Sequence, residues 1–385
     1  MRIEKNQAGD YTMIRSNLHT HTTFCDGKNT PREMVEAAIK RGFHSLGFSD
    51  YGYVWFDKQS GSMSSESMLS YPYVIDGLKA EYSGVIDIFK GLENDSCQLH
   101  NPKSYDYTIG SVHYVVKDGV RYRVDHSPER LEDAIVKGFG GDSMLLALAY
   151  FESVAAFAST EHADIMGHFD LVRLYNHGNL YFDEYSETYR NAARQALQAV
   201  IRSGKYLEVN TGILFNELSG EPCPALFLLD YARQMNARVV VSSGAHSAKQ
   251  LDFGFAEMEQ LLWDAGFTEI YEFTKNGFAP VPLAAPQPQG QPAQKTPTAK
   301  EHTAKEHTAE EHTAEEPASE KSPPAKRGGF SRRRRQAAMA ADEPIAAAEE
   351  EAGAQDAAAE EEAAQPGTFD SMDIEELAFE EEEDE

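Results

Sequence analysis

The fold this sequence predicts is an α/β barrel, and three observations predict it. Short apolar runs alternate with helical patterns from about residue 16 to residue 273, which argues for a parallel sheet. Six of seven such runs deliver an ionisable side chain at or near the C-terminal end. Functional groups gathered at the ends of successive strands are the arrangement of a β/α barrel, and ends spread over about 230 residues meet only if the sheet closes.

The first run, Ser16 to Asp26, carries His19 and His21 two positions apart. On an extended chain both point the same way, and neutral imidazole is the commonest metal-binding side chain. Cys25 beside them is expected to be a small buried residue. Thr30-Pro31-Arg32-Glu33 has a capping-box pattern with proline at the first helical position. Met34, Val35, Ala38 and Ile39 follow at helical spacing, up to Gly42.

A buried strand over Ser45 to Ser49 leads to Asp50 and Tyr51, and a Gly/Ser-rich loop from Ser60 to Ser67 has the length of a lid or an insertion. A helical pattern from Tyr73 to Tyr82 precedes a strand at Val85 to Phe89 that runs to Glu93. The strand Tyr107 to Val112 ends at His113, helical patterns cover Pro128 to Lys137 and Asp142 to about Ser159, and Asp164 to Gly167 ends at His168. Then come a helix from Asp183 to Arg202, a strand from Tyr206 to Val209 ending at Asn210, and a helix from Ala225 to Met235. Arg238 to Ser242 leads to His246, and a helix over Phe255 to Ala265 with a strand near Glu269 to Phe273 closes the barrel domain, residues 1–282.

The remainder, 283–385, has a different character. It contains a five-residue Glu-His-Thr-Ala repeat with His302, His307 and His312, a basic cluster from Arg332 to Arg335, and an acidic end. The 385 residues carry a net charge of -28, and the stretch from Asp342 onward, without Lys or Arg, holds about two-thirds of it. That composition predicts a disordered tail, with its apolar residues between Phe369 and Phe379 a candidate protein-binding segment. The mildly acidic body excludes a nucleic-acid backbone as partner. No apolar run approaches a membrane span, and Met1 to Met13 has no signal-peptide pattern. Three scattered cysteines fit a reducing cytoplasm.

The candidate ligands at the strand ends are His19, His21, Asp26, Glu93, His113, His168 and His246. Mixed imidazole and carboxylate suits zinc, manganese or iron, and seven groups exceed one tetrahedral site, so two or three divalent ions are expected. Such a cluster at a barrel mouth points to metal-assisted hydrolysis of a small phosphate ester. Glu93, His113 and Asp26 are the residues expected to act in the chemistry. His44, His100, His126, His162 and His177 are read as ordinary surface or core histidines.

His19-Thr-His21-Thr-Thr-Phe-Cys-Asp26-Gly, Gly91-Leu-Glu93, Gly110-Ser-Val-His113-Tyr, Ile165-Met-Gly-His168-Phe-Asp and Ser242-Ser-Gly-Ala-His246 resemble the ordered motifs of the PHP superfamily. More closely, they resemble its histidinol-phosphate phosphatases, from about residue 14 to 275. The resemblance implies a distorted seven-stranded β/α barrel. It also implies one metal held by His19, His21 and Glu93, a second by Glu93, His113 and His168, and a third with Asp26 and His246. The implied activity is hydrolysis of L-histidinol phosphate in histidine biosynthesis.

The family pattern has a histidine where this chain has Tyr51, an aspartate where it has Gly244, and commonly arginines where it has Asn216 and Ser219. Glycine offers no ligand atom. Asp50 and Asp170 are candidate replacements, and Arg121, Arg123 and Arg173 are candidates to face the phosphate. Arg173, Glu208 and Asn210 are the expected substrate contacts, with packing or support of the metal ligands as the alternative for Glu208 and Asn210. Two other functions fit the departures: a phosphoesterase with a changed substrate, or a binding protein that has lost catalysis and acts through its tail.

Overall fold

The computed structural model describes residues 13–215 and 220–283. The expectations for the tail, its histidine repeat and its arginine cluster, and those for Asn216 and Ser219, lie outside the described residues. The elements in chain order are β1 (Ser16–Asn17), α1 (Pro31–Lys40), β2 (Ser45–Phe48), α2 (Ser65–Glu81), β3 (Asp87–Asp95), β4 (Tyr107–Ser111), β5 (Tyr114–Lys117), β6 (Val120–Arg123) and α3 (Pro128–Asp133). They continue with α4 (Ser143–Ala158), β7 (Ile165–Met166), α5 (Glu187–Arg202), β8 (Tyr206–Asn210), α6 (Gly212–Phe215), α7 (Leu226–Gln234), β9 (Val239–Ser242), α8 (Phe255–Asp264), β10 (Glu269–Thr274) and β11 (Gly277–Pro282).

Seven strands form one parallel sheet in the order β1-β2-β3-β4-β7-β8-β9. A bridge between Thr20 and Ala245, with hydrogen bonds from His21 N to Ala245 O and from Ala245 N to His19 O, joins the first strand's end to the last. The sheet thus closes into the expected distorted seven-stranded barrel. Helices pack outside it on a large apolar core. Among the described residues no single helix is long and apolar enough to cross a membrane.

Local chemistry explains the frame. Thr30 caps α1 by accepting from Glu33 N, while Glu33 accepts from Thr30 N at 2.8 Å, with Pro31 behind them. The barrel interior is filled by Leu18, Phe89, Tyr107, Ile109, Ile165 and Val240. Tyr107 reaches across it and donates its hydroxyl to Leu18 O. A Cβ at Gly47 or Gly91 would fall 2.3 or 2.4 Å from the Tyr107 side chain, so both positions need glycine for close approach.

The expected strand near Glu269 forms after the barrel: β10 pairs antiparallel with β11, and Tyr271, Phe273 and Phe278 pack against the interior cluster as a cap. Two features differ from the sequence reading. A hairpin of β5 and β6 stands where a connection to the next helix is expected. Helix α2 starts at Ser65, capped by the Ser64 side chain, and carries Pro72 in its interior. The Gly/Ser-rich segment is consequently short and pinned: Ser62 Oγ accepts from Val54 N at 3.1 Å, and Arg123 donates to Ser60 O at 2.8 Å.

Candidate metal centre

The parallel sheet brings its strand ends to one mouth, and the expected residues lie there. His19 and His21 follow β1, Glu93 lies in β3, His113 follows β4, His168 follows β7 and His246 follows β9. The ring centroids of His19 and His168 are 5.6 Å apart, and those of His113 and His168 5.1 Å. Residues separated by almost 150 positions therefore share one pocket.

Glu93 is its centre, 1 % exposed. Its Oε2 lies 2.8 Å from His19 Nε2 and 3.4 Å from His21 Nε2. Its Oε1 lies 3.0 Å from His168 Nε2, 3.4 Å from His113 Nε2 and 2.6 Å from Ser111 Oγ. Burial alone would raise its pKa, but His19, His113 and His168 hold it well below the usual carboxylate range.

Two further carboxylates aim these rings. Asp95 Oδ2 accepts from both His113 N and His113 Nδ1, at 3.1 and 3.0 Å. Glu208 Oε1 lies 2.5 Å from His19 Nδ1 and accepts from Ser242 Oγ, while its Oε2 accepts from His168 N at 2.5 Å. Both rings are thereby turned with Nε2 toward Glu93, the usual way an outer carboxylate fixes a ligating histidine. Burial lowers the His19 pKa, but Glu208 and Glu93 outweigh it and raise it to about 10. His113 is also raised to about 10, by Asp125, Asp95 and Glu93 against its burial.

On the open side His246 Nε2 lies 3.1 Å from Asp26 Oδ1, and the His246 ring stacks on His21 at 4.1 Å. Tyr51 occupies the space among three of the imidazoles, 4.3 Å from His21, 5.4 Å from His113 and 6.0 Å from His246 between ring centroids. Burial, then Glu93, pushes its hydroxyl pKa well above the ordinary value. Cys25, expected to be a small buried residue, is half-buried, donates to Asp50 Oδ1 at 3.0 Å and lies 3.5 Å from His21 Nδ1.

The substrate-contact expectations change. Arg173 is 7 % exposed and bound internally, 3.1 Å from Glu184, 3.8 Å from Asp170 and donating to Pro222 O at 3.1 Å, so its charge is already matched. Glu208 spends both oxygens on His19, Ser242 and His168. The Asn210 side chain accepts from Gly212 N at 2.7 Å. These three support the mouth from beneath. The candidate replacement ligands are engaged as well: Asp50 accepts from Thr22 N and Oγ1, and Asp170 from Ala225 N.

The donor set fits divalent metal. His21 Nε2, His113 Nε2 and His168 Nδ1 are buried without a hydrogen-bond partner, which is costly unless something else uses them. Ligand atoms of His19, Glu93 and His168 all lie within 4.8 Å of one another, as do those of His21, Cys25 and Asp26.

The PHP domain family matches residues 17–212. This chain belongs to the PHP family. The histidinol-phosphatase of Bacillus subtilis (strain 168) is 27% identical to this PHP chain over 264 residues, covering 63% of this chain and 97% of that protein. The hisK protein of Listeria monocytogenes has a TM-score of 0.56 at 23% identity, over 63% of this chain and 99% of its own. A histidinol phosphate phosphatase of Lactococcus lactis, solved with zinc, L-histidinol and phosphate, has a TM-score of 0.50 at 23% identity, over 69% of this chain and 98% of its own. At that identity the solved structures establish the barrel for this PHP chain.

Proposed function

We propose that this chain is a metal-dependent phosphomonoesterase that hydrolyses L-histidinol phosphate to L-histidinol and phosphate, a cytoplasmic step of histidine biosynthesis. The observation that carries the reading is Glu93, a buried carboxylate whose two oxygens are divided between two pairs of imidazoles. A carboxylate so divided suits two or three divalent ions, zinc, manganese or iron, within residues 1–282. His19, His21 and Glu93 would hold one, Glu93, His113 and His168 a second, and Asp26 with His246 a third. When bound, the ions would activate water near neutral pH and neutralise the phosphoryl oxygens.

The protein's own groups do the rest. Asp95 and Glu208 fix the His113 and His19 rings, so no reorientation is needed as charge develops. Asp26, with its side chain 43% exposed, would be an ionised ligand at the open rim, so the departing alkoxide would take its proton from solvent water there. The name of the Bacillus subtilis relative and the zinc, L-histidinol and phosphate in the Lactococcus lactis protein support the substrate.

The test is release of phosphate from L-histidinol phosphate by protein reconstituted with zinc or manganese. Turnover no faster than that of a His19→Ala control would overturn the reading. A second reading, the same reaction on another phosphate ester, draws on Tyr51 and Gly244, which would leave the third and the first metal respectively one ligand short of the family pattern. A screen of phosphate esters separates the two.

A further inference from the structure

Beside the mouth is an open cleft of about 300 Å³ lined by Phe56, Asp57, Tyr114, Arg121, Arg123 and Arg130. Tyr114 and Arg123 are also the outer wall of a smaller pocket whose other side is Tyr51, Glu93 and His113. A group bound in the cleft therefore stands directly across Tyr114 and Arg123 from the proposed metal ligands.

Three guanidinium groups converge there in a chain whose net charge is -28. Arg123 is fixed: its side chain is 9% exposed, paired with Asp125 at 2.7 Å and hydrogen-bonded to Ser60 O. Arg130 donates to Gln59 Oε1 and has a longer charged partner, Asp57 at 3.5 Å, and Asp57 also accepts from the Tyr114 hydroxyl at 2.9 Å. Arg121 lies over Phe56, its guanidinium carbon 4.5 Å from the ring centre, and 5.9 Å from that of Trp55. Its one recorded side-chain hydrogen-bond partner is the Cys97 thiol, a neutral group. Stacking uses the face of a guanidinium and leaves the rest of its N–H edge for a planar or tetrahedral oxyanion.

We propose that this cleft is an oxyanion subsite that takes a phosphate-type dianion, with Arg121 and Arg130 as the contacts and Arg123, its charge matched by Asp125, as the rigid wall that holds the cleft's shape. Arginine pairs hold such oxyanions by paired charge-assisted hydrogen bonds. A local positive cleft also concentrates a dianion that the acidic protein otherwise repels. The inference rests on the phosphomonoesterase reading for its role, and the dianion has two sources: the phosphoryl group of arriving substrate, or inorganic phosphate after release.

The experiment is calorimetric titration of the zinc-loaded full chain with inorganic phosphate, on wild type, Arg121→Gln, Arg121→Lys and the Arg121→Gln/Arg130→Gln pair, with kinetics on the same proteins. Arg121→Gln is expected to raise the phosphate Kd about tenfold, the loss of one charged hydrogen-bonding group, with Arg121→Lys in between and the double variant weaker still. An equal rise in KM for phosphomonoesters assigns the cleft to substrate, and a raised Kd with KM unchanged assigns it to product. A phosphate Kd unaltered in both Arg121→Gln and the double variant overturns the proposal. If wild type hydrolyses no phosphomonoester the functional reading fails, while the titration still decides whether the cleft binds phosphate.

Discussion

Glu208 lies 2.5 Å from His19 Nδ1, and no part of its carboxylate is left for substrate, since Ser242 Oγ and His168 N take the rest. One buried side chain thus sets the orientation of two metal-ligand candidates from different strands. Glu208→Gln keeps the shape and removes the charge. Zinc affinity should fall ten- to a hundredfold, the usual range for an outer carboxylate behind a ligating histidine, with the circular dichroism spectrum unchanged. Unaltered zinc affinity by competitive chelator titration would show that Glu208 is structural only.

Glu93 touches four imidazoles, so its loss should exceed that effect. Glu93→Gln is expected to lower zinc content and to reduce phosphate release by at least about a hundredfold, the upper end for an outer residue being the floor for a ligand. Metal analysis and steady-state rates on the same preparation check both halves.

Protons should leave when metal arrives. His19 and His113 have pKa values raised to about 10 in the metal-free protein, and a metal can use only the neutral ring. Zinc binding should therefore tighten as pH rises from 6 toward 10. Calorimetry in buffers of differing ionisation enthalpy should record proton release.

The sign for stability is the opposite. A raised histidine pKa stabilises the metal-free fold fully below the unfolded value of about 6.5, and that contribution is lost as pH rises through about 10. Glu208, lowered to about 2 by His19 against its burial, stabilises above the unfolded carboxylate value and loses this as pH falls toward 2. Metal-free protein should accordingly lose stability on the alkaline side in denaturant titrations, and added zinc should remove that dependence.

Gly244 has a φ of +50°, and a Cβ there would lie 3.0 Å from Asn210 Nδ2. Restoring the family's carboxylate by Gly244→Asp should cost about 1–3 kcal/mol through the strained backbone. Gly244→Ala measures that cost alone. Gly244→Asp should melt with Gly244→Ala and below wild type when metal-free, and should regain the difference in zinc only if the new carboxylate is a ligand.

Much of this architecture was legible because strand ends and metal ligands coincide. His19, Glu93, His113, His168 and His246 each follow or sit in an apolar run, and that regularity survives in a bare sequence. What escaped detection depends on burial or on pairing. Asp95 looks like any acidic residue near a strand end, and only the fold shows it behind His113; for Glu208 the fold decides between facing substrate and standing behind His19. Arg173 looked available until the structure set Glu184 and Asp170 around it. The β5–β6 hairpin did have a local signal, the alternating Tyr114-Val-Val-Lys-Asp118-Gly119-Val-Arg-Tyr-Arg123 around an Asp-Gly turn.

Among the described residues, Tyr107, wedged through the middle of the barrel against Gly47 and Gly91, and Phe273 and Phe278, packed against the same cluster, fill the interior on the side away from Glu93. On the proposed function, ester, alcohol and phosphate would therefore share the mouth at the strand ends.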